Sequence, residues 1–292
     1  MTAAKSGKFI IGGDLPVHRM GYGAMQLTGS GVWGPPRDED NARAVLRRAV
    51  ELGVNFIDTA DVYGPDDNER IIREALHPYP PDLVIGTKAG LVRAGPATRE
   101  SPGISMNGSG SHIRKAVEGG LRKLGLDCIG LFQLHRVDPA VPLEETMGVF
   151  RALRDEGKIR HIGLSEVGIE EIKRARAVVE IATVQNVYNV FTRIHDDVLA
   201  YCELNGIAFI PFWPLRSGNL IKSEAMTAIA KQTGAAPAQV ALAWLLKKSP
   251  VIVLIPGTSS RQHLEQNVAA CDIELSERNM QLLDGLGRKA AK

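Results

Sequence analysis

Short apolar runs rich in β-branched residues alternate along the chain with longer stretches whose apolar positions recur every three or four residues. DEDNARAVLRRAVELG precedes VNFID, NERIIREALH precedes DLVIGTK, and HIRKAVEGGLRKLGLD precedes CIGLFQLH. LEETMGVFRALRDEGK leads to IRHIGLS, IEEIKRARAVVE to IATVQNVYN, DDVLAYCELNG to IAFIPF, and PAQVALAWLLKKSP to VIVLIPG. The longer segments predict amphipathic helices, the short runs fully buried parallel strands. Gly53, Gly125, Gly157 and Gly206 follow four of the helices, where a left-handed cap is wanted. The opening KFIIGGDLPVHRMGYGAM predicts a small hairpin and a first strand, which brings the strands to eight. Eight alternating units without a break in composition predict an α/β chain folded as one closed (β/α)₈ barrel of the TIM type, spanning 1–292. An open doubly wound sheet is the competing architecture, but no strand-to-helix turn carries GxGxxG. IELSERNMQLLDGLG lies outside the alternation and predicts an extra C-terminal helix, with Ser276 as its cap.

Two connections are long: 89–110, rich in Gly, Ser and Pro, and 213–227, after Phe212. Both follow barrel strands, so both belong to the face where such barrels keep their chemistry.

With 44% hydrophobic and 23% charged residues, the composition is that of a globular protein, and 292 residues can bury a large core without staples. Thirty-five basic against 33 acidic residues leave a charge of +2 with no block of like charge, so neither nucleic acid nor a membrane is an expected partner. No stretch approaches the roughly 18 apolar residues of a membrane helix, and the N-terminal region lacks a signal-like apolar run. Cys128, Cys202 and Cys271 have no pattern of disulfides or zinc ligands, which suits a reducing cytoplasm; Cys128, at a strand edge, is expected to be buried.

Asp58, Tyr63, Lys88 and His135 each lie at or just past the end of an apolar run. Singly, each has an ordinary explanation: a cap, a packed ring, a solvated cation, a core histidine. At the same end of three successive barrel strands they converge on one pocket. A phenol beside an ammonium, a carboxylate and an imidazole suits proton donation to a carbonyl. Tyr63 would be the acid, Lys88 would lower the cost of its phenolate, Asp58 would hold Lys88 charged, and His135 would orient the carbonyl.

NFIDTADVYG, the Lys of VIGTKAG and the His of FQLHRVDP resemble the aldo-keto reductases, over nearly the whole chain. LHRVDP and IGLSEV resemble the bacterial general oxidoreductase and pyridoxal-reductase branch. The resemblance implies NADPH as hydride source, reduction of aldehydes or ketones to alcohols, and a catalytic tetrad matching the four residues. It implies nicotinamide contacts at Ser165, Glu166 and Gln185, with Glu where the family has Asn, and stacking on Phe212 where the family has Tyr. It further implies cofactor contacts at Gly23, Ala24, Met25, Asp58, Trp213 and Pro214, and from Leu215, Arg216 and Ser217 along the pyrophosphate. Gly257, Thr258, Ser260, Arg261, His263, Gln266 and Asn267 would hold the adenosine end, with Gly257 and His263 where many relatives carry Lys and Arg. Met25, Trp33, Tyr63, His135 and Trp213 are the expected substrate pocket. A nicotinamide-nucleotide-binding regulatory protein, like the potassium-channel β subunits, is the alternative function. A metal-dependent barrel lyase is the third, without an HxH pair or acidic cluster to favour it.

Overall fold

The computed structural model describes residues 1–215 and 223–289. Seven parallel strands form one curled sheet: β3 (Tyr22–Gly23), β4 (Phe56–Asp58), β5 (Val84–Ala89), β8 (Ile129–Leu134), β9 (Ile159–Ser165), β10 (Thr183–Gln185) and β11 (Ala208–Phe209), hydrogen-bonded in that order. The eighth stave of the barrel consists of single parallel bridges. Ile252 pairs with Phe209 on one side, while Leu254 pairs with Met20 and Gly257 with Gly23 on the other. Arg19 locks this seam by donating to the carbonyls of Leu246, Ser249 and Ile252.

Helices follow the strands: α1 (Glu39–Glu51), α2 (Asp67–Leu76), α3 (Gly110–Leu124), α4 (Leu143–Asp155), α5 (Ile169–Arg176), α6 (Asp196–Asn205), α7 (Glu224–Thr233) and α8 (Pro237–Lys248), then α9 (Arg261–Ala269) and α10 (Glu277–Lys289). Each buries the stripe that its sequence predicts; in α1 it is Ala42, Val45, Leu46 and Ala49. The four cap glycines have φ between 65° and 80°. Ser276 accepts the Asn279 N–H at 3.2 Å, as a cap should.

The barrel's lower interior holds Phe56, Val84, Ala182 and Ala208, at or just before the N-terminal ends of their strands, clustered with Leu131, Ile210 and Val253. An antiparallel hairpin, β1 (Lys8–Ile11) with β2 (Leu15–His18), plugs that end with Ile11, Leu15 and Val17. Apolar plugging of the bottom leaves the top, where the strands end in polar residues, as the open face.

Two details differ from the sequence expectations and one adds to them. In the long 89–110 connection, β6 (Leu91–Arg93) and β7 (Ile104–Met106) form an antiparallel ribbon. Within 213–227, α7 begins at Glu224, capped by Ser223, because a short run of Ala, Met and Ile can bury one face. Cys128 is exposed rather than buried, since the strand starts only at Ile129; Cys202 is the buried thiol.

Candidate active site

Asp58 closes β4, Lys88 sits one residue from the end of β5, and His135 directly follows β8. Tyr63 comes from the turn after β4, where its N–H donates to Ala60. That turn is fixed from below: Thr59 donates to Asn68 at 2.5 Å, and Asn68 donates to the Ala24 carbonyl at 2.9 Å.

Lys88 is wholly buried and donates to Asp58 Oδ2 at 2.5 Å and to the Thr59 carbonyl at 2.8 Å. The other Asp58 oxygen, Oδ1, accepts from Gln185 at 3.0 Å and Gln133 at 3.2 Å. A buried carboxylate with three donors and a buried ammonium with two acceptors form a satisfied pair. The ammonium lies 5.2 Å from the Tyr63 ring centre, and the His135 ring meets Tyr63 edge-on with centroids 5.8 Å apart.

Burial opposes the Lys88 charge, but Asp58 and Tyr63 more than offset it and hold the ammonium above its ordinary range. Burial lifts the Tyr63 phenol above its usual value against the pull of Lys88, so the phenol keeps its proton at neutral pH. Burial, with Lys88, Arg136 and Arg93 nearby, pushes His135 well below the usual imidazole range, so the ring is neutral. His135 Nδ1 is buried without a hydrogen-bond partner among the described residues. An orphaned lone pair is tolerated better than an orphaned N–H, which assigns the proton to Nε2.

Asp58, Tyr63 and His135 line a cavity of about 690 Å³ at the C-terminal ends of the strands, with the wholly buried Lys88 behind them. Gly23, Met25, Ser165, Gln185 and Phe212 line it, with Trp213, Pro214, Leu215, Gly257 and His263. Trp213 holds a left-handed backbone (φ 52°), uncommon for so bulky a residue, with Asn189 donating to its carbonyl.

Other expected residues stand apart from this wall. Trp33 follows a short 3₁₀ turn, is 41% exposed and does not line the cavity. Ala24 is buried and contributes its carbonyl to Asn68. Glu166 turns inward from a left-handed backbone (φ 55°), and its Oε1 accepts the Val187 N–H at 2.7 Å. It props the chain beside Gln185 rather than facing the cavity. Thr258, Ser260, Gln266 and Asn267 lie at or beyond the rim around the start of α9; Ser260 caps that helix by accepting from the His263 N–H, and Asn267 is buried. Arg216 and Ser217 lie outside the described residues.

The sequence reading missed Arg93, Arg136, Gln26 and Gln133. Arg93 comes from the ribbon, Arg136 follows His135, and both line the cavity with Gln26. Gln133, two residues before His135, supports Asp58 from inside the barrel. A long polar side chain within an apolar run was the available signal for Gln133.

A larger cavity, about 980 Å³, lies outside the barrel between α2 and α3 and contains none of the four residues. Asp61 borders it with a buried Oδ1 that has no hydrogen-bond partner among the described residues. Burial, then Glu69, pushes this carboxyl up to about 8. A folded-state value above the unfolded one means stability is lost as pH rises from the ordinary carboxylate range through about 8. Asp61→Asn is therefore expected to stabilise the protein, with a larger gain at pH 9 than at pH 5 in urea denaturation. A gain equal at both pH values would contradict this account of Asp61.

A profile of the aldo/keto reductase family matches residues 19–288. An uncharacterized oxidoreductase of Schizosaccharomyces pombe is 46% identical over 277 residues, 94% of this chain and 89% of that protein. Pyridoxine 4-dehydrogenase of Escherichia coli is 44% identical over 283 residues, 95% of this chain and 97% of that one. Among solved structures, an aldo-keto reductase of Klebsiella pneumoniae in complex with NADPH superposes with a TM-score of 0.79 at 27% identity, covering 96% of this chain and 94% of its own. With the profile and both relatives spanning most of its length, and its strands closing into the same barrel, this chain belongs to the aldo/keto reductase family.

Proposed function

We propose that the protein reduces an aldehyde or ketone to the alcohol, with NADPH as hydride source. One observation carries the reading: a protonated Tyr63 beside the buried Lys88–Asp58 pair and a neutral His135, on the wall of a single cavity. His135 Nε2–H donates to the substrate carbonyl and orients it. Tyr63 passes its proton to the carbonyl oxygen as negative charge develops there. The Lys88 ammonium stabilises the phenolate that remains, and Asp58 keeps the ammonium charged and in place. The gain comes from charge stabilisation that grows toward the transition state.

The donor set suits the nucleotide. Bound NADPH supplies the hydride. Ser165 retains its hydroxyl proton and Gln185 its carbonyl oxygen for a carboxamide, because their present bonds use the Ser165 oxygen and the Gln185 NH₂. Phe212 offers a ring face for the nicotinamide, a role that needs no hydroxyl. The N-terminus of α9, with exposed Arg261, suits the nucleotide's phosphate, since unpaired N–H groups and the helix dipole favour anions. The Klebsiella pneumoniae structure with NADPH supports this choice of cofactor.

The test is loss of NADPH absorbance with a panel containing 4-nitrobenzaldehyde and pyridoxal, repeated with NADH. Pyridoxal belongs in the panel because the Escherichia coli relative is named pyridoxine 4-dehydrogenase. Turnover with NADPH is expected. NADPH binding without turnover of any carbonyl in the panel would overturn the reading.

A further inference from the structure

We propose that Arg136 is a specificity-determining residue, selecting carbonyl substrates whose body carries a carboxylate. The proposal rests on the reductase reading above: the carbonyl lies at Tyr63 and His135, and the carboxylate meets the guanidinium on the same wall.

Arg136 directly follows His135 and lines the same cavity. Its Nη1 donates to the His135 carbonyl at 2.6 Å and to Ser165 Oγ at 3.0 Å. Those bonds fix the stem, while Nε and Nη2 make no hydrogen bond among the described residues. Glu166 is the acid whose charge it feels most, but Glu166 Oε1 is engaged by the Val187 N–H and the two form no ion pair.

The cavity's charge points the same way. Asp58, its lining carboxylate, is already paired with Lys88. Arg93 is a second cation on the wall, held by the carbonyls of Val62, Gly31, Gly95 and Pro102 rather than by an acid. Two half-buried guanidiniums therefore face the cavity without a carboxylate of their own among the described residues. Met25, Leu91, Ile104 and Trp213 supply apolar wall for the rest of the substrate. In such a site a charge-assisted fork to a carboxylate is stronger than at an open surface, and the planar guanidinium matches a carboxylate's geometry. Phe212, whose ring lies 5.7 Å from the guanidinium, is also the candidate stacking face for the nicotinamide. A nicotinamide stacked there would compete with the guanidinium for that face, leaving the guanidinium to find its partner elsewhere on the cavity wall.

The experiment measures kcat/KM for 3- and 4-carboxybenzaldehyde against 3- and 4-nitrobenzaldehyde, which match in shape but lack the charge. Wild type is compared with Arg136→Met, Arg136→Gln and Arg136→Lys. The carboxy-to-nitro ratio is expected to fall about ten- to a hundredfold in both neutral variants and to recover in part with Lys. Should the Met variant not fold, the Gln variant, which can still donate to Ser165, carries the comparison. An unchanged ratio in the neutral variants overturns the proposal. So does a tenfold loss of NADPH affinity with selectivity intact, which would place Arg136 on the nucleotide's phosphates. Absence of turnover with either aldehyde in wild type would instead overturn the reductase reading.

Discussion

Replacing Tyr63 by Phe is expected to lower kcat/KM for aldehyde reduction by about 10²–10⁴-fold, the usual worth of a positioned proton donor. NADPH affinity should stay close to that of wild type, because the ring packs as before and the hydroxyl is not offered to the nucleotide. The loss should appear in kcat more than in KM, since proton donation matters in the transition state and little in the bound substrate. Stopped-flow reduction of 4-nitrobenzaldehyde under single-turnover conditions isolates the chemical step. A Tyr63→Phe protein that retains wild-type single-turnover rates would remove Tyr63 as the acid and shift attention to His135 Nε2–H. Deprotonation of Tyr63 should not limit the reaction near neutral pH, because burial holds its phenol above the usual range.

The four central residues are legible in the sequence because strand ends are legible. VNFID, DLVIGTK and FQLH each run from apolar to polar at the point where a buried strand reaches the open face of the barrel. The same pattern cannot separate a full strand from a bridge. GYGAM and VIVLIPG read as strands, yet one forms a two-residue strand and the other only bridges, because hydropathy reports burial and not hydrogen bonding. Side-chain direction is the second blind spot. Glu166 and Trp213 both take left-handed backbone, which turns the first toward Val187 and leaves the second 63% exposed at the rim. Neither conformation is encoded by a glycine. Arg136 stayed hidden for a different reason: one charge after a histidine looks like the first solvated residue of a loop. The fold instead brings it against Ser165 on a neighbouring strand and over Phe212.

Lys88→Met is expected to destabilise the protein and abolish its activity together, and a second substitution should separate the two effects. Removing the ammonium leaves Asp58 buried at 2% exposure, with only Gln133 and Gln185 as donors and no countercharge among the described residues. Breaking a buried pair from one side costs about 3–5 kcal/mol, chiefly from the charge left behind. Urea denaturation should register a loss of that order. Adding Asp58→Asn removes the stranded charge, and the amide so introduced can still accept from the two glutamines through its carbonyl oxygen. The double variant should therefore recover most of the lost stability, short of wild type because the Thr59 carbonyl loses its Lys88 donor. Activity should not return with it. The ammonium that would stabilise the phenolate is gone and the remaining pull of Arg136 on the phenol is weaker, so kcat/KM should stay near the level of Tyr63→Phe. A double variant that regained both would make Lys88 a structural residue only; a single variant as stable as wild type would mean that water or a neighbouring cation reaches Asp58 where the structure shows none. On the proposed mechanism the two roles share one cause: the low-dielectric setting that makes an unpaired Asp58 costly is what would let Lys88 act strongly on the phenol, whose ring centre lies 5.2 Å away.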